Sequence, residues 1–118
     1  MAGASFLMAA AMMTLAGSEW GPSDGGGRFV QFREEGRVAG SGGCNRFSGA
    51  YTQEGDTVRI GPLMSTRMAC ADPAVMKQEQ AWFDMLEKAR RIDATMKQLI
   101  LKDESGNEIA VLVRRDWD

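Results

Sequence analysis

Arg28-Phe29-Val30-Gln31-Phe32, Glu34-Glu35-Gly36, Arg37 to Gly42, Phe47 to Thr52, Gln53-Glu54-Gly55-Asp56 and Thr57-Val58-Arg59-Ile60 follow one another along residues 28–60, and their rhythm decides the fold. Short runs of β-branched and aromatic residues alternate with clusters of turn formers, which is the pattern of strands joined by hairpins. Arg28–Phe32 reads as a strand, Glu34–Gly36 as a turn, and Arg37–Gly42 as a glycine-weakened return strand. Thr57–Ile60 alternates polar and apolar, as a strand buried on one face must. Gly40, Gly42, Gly43 and Gly49 allow bends and close backbone approach, so strong curvature is expected.

On the carboxyl side, Leu99-Ile100-Leu101, a turn at Ser105-Gly106-Asn107 and Ile109–Val113 read as a final hairpin. On the amino side, Gly21–Gly27 reads as a loop, because Pro and Gly break both helix and strand. One helix interrupts the strands. Asp72 suits the N-cap, where its carboxylate accepts from free first-turn amides, and Pro73 suits the first helical position. Val75, Met76, Trp82, Phe83 and Leu86 share a stripe at spacings of three and four, so a helix is expected over residues 73–90. Lys88, Arg90 and Arg91 would complement its dipole. The fold class that follows is mainly β (α+β), a small antiparallel barrel or strongly curved sheet with one amphipathic helix packed on it.

The chain has 118 residues, 14 basic and 16 acidic, and no histidine. That length allows one domain. The absence of histidine excludes His-based catalytic triads, His-ligated zinc and an imidazole pH switch. A net charge of −2 gives no electrostatic case for nucleic acid.

Ala4 to Leu15 carries no charge, and Phe6–Met13 is a dense apolar run. It falls short of the roughly 20 apolar residues a membrane span needs, but suits the centre of a secretory signal. No Lys or Arg precedes it, which a signal normally has. Residues 1–14 are therefore read as a signal-peptide remnant or apolar N-terminal segment, with cleavage after Ala11 or after Ala16, and residues 15–118 as one domain. The bland alternative makes the run a buried first strand or helix. Leu15-Ala16-Gly17-Ser18 resembles a lipoprotein processing site with serine in place of cysteine, which excludes thioether lipidation there.

Cys44 and Cys70 are the only cysteines, with 25 residues between them. In an exported domain they most simply form a disulfide, and closing a loop of that size is worth roughly 3–4 kcal/mol. Free buried thiols, a metal pair and a reactive nucleophile are the competing readings. Two cysteines alone cannot complete a zinc site, and no histidine is present to activate a thiolate. Glu79 lies on the apolar stripe, where a carboxylate has to be paired or hydrogen-bonded. The expectation is a structural buried polar cluster of Asn45, Arg46, Thr66, Arg67 and Glu79. In it Glu79 accepts from one of the two arginines or from loop amides near Asn45 and Thr66. The competing reading makes Glu79 a general acid with a raised pKa.

Gly40–Gly43 superficially suggests a phosphate loop, but lacks the Gly-Lys-Ser/Thr ending and the following helix. Met64 and Met68, near Cys70, could offer soft ligands to copper(I), although core packing is the favoured reading. Trp20, Tyr51 and Trp82 could line a hydrophobic cavity or simply fill the core.

These residues resemble the META domain family, which includes heat-shock HslJ-like proteins. The resemblance rests on Gly43-Cys44-Asn45-Arg46-Phe47-Ser48-Gly49-Ala50-Tyr51 and on Gly61-Pro62-Leu63-Met64-Ser65-Thr66-Arg67-Met68-Ala69-Cys70. It continues in Gln78-Glu79 before Phe83 and Leu86, and in Leu99-x-Leu101-x-Asp103. Leu15-Ala16-Gly17-Ser18-Glu19-Trp20 looks like the family's opening strand, which would put cleavage before Leu15. Because Gly21-Pro22 follows at once, that strand is expected to be short or differently paired. The resemblance implies a lipocalin-like barrel in an exported or cell-envelope setting, with a link to stress and no catalytic residues to carry over.

The function expected is a non-enzymatic, exported, stress-related binding module, without cofactor or metal. Its partner would be an envelope protein or component, and the chain a monomer without a transmembrane span. A periplasmic or otherwise exported location is expected, with the cytoplasm as the alternative. Two rivals are a carrier of a small apolar ligand inside the barrel and an inhibitor of an extracytoplasmic enzyme. The inhibitor would present Gly21–Gly27 or Ser105–Asn107.

Overall fold

A computed structural model describes residues 13–116. The strands are β1 (Ser18–Pro22), β2 (Arg28–Arg33), β3 (Arg37–Gly42), β4 (Arg46–Glu54), β5 (Thr57–Ser65), β6 (Arg91–Ala94), β7 (Gln98–Lys102) and β8 (Glu108–Arg114). Each pairs antiparallel with the next, and β8 pairs back to β1 through Trp20↔Arg114 and Pro22↔Leu112, closing a barrel. The only α-helix among the described residues, α1 (Pro73–Lys88), lies between β5 and β6 in the chain.

Alternation dictates which side chains fill the interior. Trp20, Val30, Phe32, Val38, Phe47, Tyr51, Val58, Ile60, Leu99, Leu101 and Leu112 point inward from successive strands and are all buried. Trp82, Leu86 and Ala89 join them from the helical side. Trp20, Tyr51 and Trp82 therefore fill the core.

Several boundaries differ from expectation. Gly21 and Pro22 belong to β1, where Pro22 sits at the strand's last paired position and its missing N–H does no harm. β5 continues to Ser65 past Gly61-Pro62, because the ladder with β4 shifts register between Gly49 and Tyr51 and absorbs the break. The helix ends at Lys88, and Arg91 begins β6, a strand not expected from the sequence. Arg90 still serves the helix end, donating from Nη1 to the carbonyls of Glu87 and Ala89.

The stripe on α1 is Val75, Glu79, Trp82 and Leu86, continued by Ala89 just past the helix end; Met76, expected on it, is 42% exposed. Met64 and Met68, expected to pack in the core, are 72% and 58% exposed. Met64 lies on β5 and Met68 on the segment after it, away from inward positions of the barrel.

β5 and β6 share a single ladder pair, Thr57↔Arg91. Beyond it the edge of β5 meets α1, where the amide of Leu63 donates to Glu87 Oε2 at 2.8 Å. The helix thus takes the place of ladder along this part of the seam.

The apolar run Phe6–Met13 lies outside the described residues except for Met13. Gln53 holds the segment after it, accepting from the amide of Leu15 and donating to the carbonyl of Met13. Leu15 is 1% exposed, within the core. Ser18 is buried too; its hydroxyl donates to the Leu15 carbonyl and accepts from Trp20 Nε1. Cleavage after Ala16 would remove the Leu15 core side chain.

Candidate functional site

The residues with the most chemical character gather where α1 crosses the mouth of the barrel. Asp72 accepts from the amide of Ala74 at 2.9 Å and starts the helix. Two turns on, Glu79 is 5% exposed. Its Oε1 accepts from the backbone amides of Cys44 (3.0 Å) and Asn45 (2.5 Å), and its Oε2 from Asn45 Nδ2 (2.7 Å). Burial pushes the pKa of this carboxyl upward, but the backbone and side-chain hydrogen bonds from Asn45 and the amide of Cys44 outweigh it. The group is held below the usual carboxylate range.

Glu79 reaches the β3–β4 loop only because Gly42 has no side chain. A Cβ there would lie 2.5 Å from Glu79 Cγ, 2.8 Å from Oε1 and 2.9 Å from the Phe83 ring. The sequence identified Gly42 as a site of curvature; it also clears a passage for the acid.

Asn45 is the hub. Its Oδ1 accepts from the Thr66 hydroxyl (2.9 Å) and the Met68 amide (2.7 Å). Its Nδ2 also donates to the Met68 carbonyl at 3.3 Å. Both donors and both acceptor positions of the side-chain amide are used. Three segments meet on it: the β3–β4 loop, the strap from Thr66 to Cys70, and α1. A disulfide joins Cys44 to Cys70 beside this hub, with Cα atoms 6.3 Å apart, inside the range such bonds require.

Arg46 and Arg67 correct the expected cluster. Both are exposed, and neither side chain bonds Glu79; Arg46 enters through its backbone amide, which donates to Thr66 Oγ1. Arg46 sits on an outward position of β4, beside inward Phe47, so strand alternation turns it to solvent. Thr66 is exposed as a residue, although its hydroxyl belongs to the network. The loop amides therefore do what the arginines were expected to do.

Glu79 has no second carboxylate among its hydrogen-bond partners, and its depressed pKa opposes service as a general acid. Among the described residues no group of three or more Cys, Asp or Glu could hold a metal ion. No described helix is long and apolar enough to cross a membrane. At the β5–β6 seam, an open cleft of about 560 Å³ brings Arg59, Arg90 and Arg91 together with Glu54 and Glu104.

A scan against family models matches residues 13–116 to the META domain. The chain belongs to the META domain family. Among curated proteins, Heat shock protein HslJ of Escherichia coli (strain K12) is 33% identical over 72 residues. That alignment covers 61% of this chain and 51% of HslJ, so it spans about half the length of that relative. An NMR structure of a protein from Burkholderia xenovorans aligns with a TM-score of 0.69 at 23% identity, over 87% of this chain and 85% of that one. A second NMR structure aligns at 0.62 with 26% identity, over 88% and 95% respectively. The barrel with its single described helix is thus a fold shared with solved proteins. In this META domain the Cys-Asn pair and the Glu79 of the resemblance form one hydrogen-bonded lock.

Proposed function

We infer that this META domain chain is an exported, stress-related protein of the cell envelope that acts by binding a partner and catalyses no reaction. The Cys44–Cys70 disulfide carries the reading, because such bonds persist in oxidising compartments and are rare in the cytosol. The likeness to a protein named for heat shock supports the stress link. The Asn45 side-chain amide and the Glu79 carboxylate are engaged in joining loop, strap and helix, and this structural use supports a binding role over a catalytic one.

The test uses the full chain, tagged at its carboxyl end and expressed in bacteria with and without heat shock. Cell fractionation is followed by alkylation and intact-mass measurement. Recovery outside the cytoplasm, with cysteines resistant to alkylation until reduced and Leu15 retained, is the expected result. Cytoplasmic protein with two alkylated cysteines would overturn the export assignment. Photo-crosslinking from exposed barrel positions in intact cells should then yield a discrete adduct with an envelope component. The absence of any adduct across the whole surface would refute the binding role.

A further inference from the structure

A second cleft, of about 330 Å³, runs between α1 and the β8 side of the barrel mouth. Trp82 and Met85 of the helix face Ile109, Ala110 and Val111 of β8 across it, and Arg28 of β2 also lines it. Its volume lies at the lower end of the range for small-molecule sites. Arg28 is the only charged residue in its lining.

The polar atoms of this cleft stand out. Among the described residues, two buried side-chain nitrogens have no hydrogen-bond partner, Trp82 Nε1 and Arg28 Nε, and both belong to residues of this cleft. The other buried polar side-chain atoms among the described residues are paired, as burial requires; an unmade bond costs about 1–3 kcal/mol. Both orphans are donors, so both call for an acceptor. Trp82 is 4% exposed, which leaves solvent no ready route to its indole. Arg28 is partly engaged elsewhere: Nη2 pairs with Asp24 at 3.0 Å, and the Asp24 side chain is itself 71% exposed. Val111, at the rim, is an exposed apolar residue.

Two unpaired donors, one cation and apolar walls describe the complement of one ligand class. We propose that this cleft binds a small monocarboxylic acid with an apolar body, its carboxylate accepting from Arg28 Nε and Trp82 Nε1 while its chain lies against Met85, Ile109 and Val111. The donors lie under the cleft surface, and entry shifts the unbranched, adaptable Met85 side chain. The site lies outside the barrel's packed interior, and its occupancy does not depend on compartment or protein partner.

Octanoate, octanol and acetate are the probes, added to the ¹⁵N-labelled full chain and followed through the Trp82 indole N–H signal and the amides of residues 109–112. Octanoate should shift these signals saturably, octanol should bind at least about tenfold more weakly, and acetate should give no saturable shift; tenfold corresponds to about 1.4 kcal/mol. Arg28→Gln should weaken octanoate binding by a similar factor. Val111→Glu, a change at an exposed rim position, should do the same by placing a like charge at the entrance, and serves if Arg28→Gln disturbs folding. No saturable shift from octanoate at millimolar concentration, equal affinity for octanol, or unaltered binding in a well-folded variant would each overturn the proposal.

Discussion

Replacing Glu79 separates a structural carboxylate from an idle one. Glu79→Ala removes three hydrogen bonds to a charged acceptor and leaves the buried amide of Asn45 without its partner. Bonds to charged groups are worth about 1.5–3 kcal/mol each, but these three share one carboxylate and do not add, so a loss of about 3–5 kcal/mol is expected. Glu79→Gln is milder. Its oxygen can still serve the two backbone amides, but its NH2 then faces Asn45 Nδ2, donor against donor, for a loss of about 1.5–3 kcal/mol. The two variants and the parent are compared by urea unfolding across pH. Because the folded pKa of Glu79 lies below its ordinary value of 4.5, its contribution is complete above that value and is lost as pH falls through the folded pKa. The gap between parent and Glu79→Gln should therefore be constant near neutrality and shrink in acid. A Glu79→Ala penalty under about 1 kcal/mol, or a gap that widens in acid, would refute the lock.

Three further outcomes follow from the geometry. Gly42→Ala puts a methyl group within 2.5 Å of Glu79 Cγ, so α1 has to retreat; thermal unfolding should show a loss of about 2–3 kcal/mol. Cys44→Ser/Cys70→Ser should cost about 3 kcal/mol, and reducing the parent with dithiothreitol should reproduce the change in its denaturant midpoint. Leu15→Ala should cost about 2–5 kcal/mol by opening a cavity in the core, read from the denaturant unfolding curve.

The hairpins between Arg28 and Ile60 were legible because alternation and turn residues act locally. The same holds for the helix start at Asp72-Pro73, where cap chemistry is written in adjacent residues. β6 was not legible: Arg91-Ile92-Asp93-Ala94 has one fully buried side chain, Ile92, with only the small Ala94 beside it on the inward face, and follows basic residues that suit a helix end. Glu79 is recognisable as a buried acid from its place on the stripe, and loop amides near Asn45 are among the donors its burial calls for. The choice of amides over Arg46 and Arg67 depended on strand facing and loop path, which composition does not encode. Met64, Met68 and Met76 were misplaced for a related reason. Hydrophobicity states what burial would gain, while the course of the backbone decides which side chains receive it.

The single ladder pair between β5 and β6 means that the ring is completed by a docked helix as much as by strand pairing. If α1 lifts away, the cylinder becomes an open sheet whose β5 margin, from Arg59 to Ser65, offers bare amides and carbonyls to any extended chain nearby. Protection of that margin against self-association therefore rests on Glu79, Gly42 and the sulfur bridge keeping the helix seated. Their loss should appear as aggregation at concentrations where the intact protein stays dispersed.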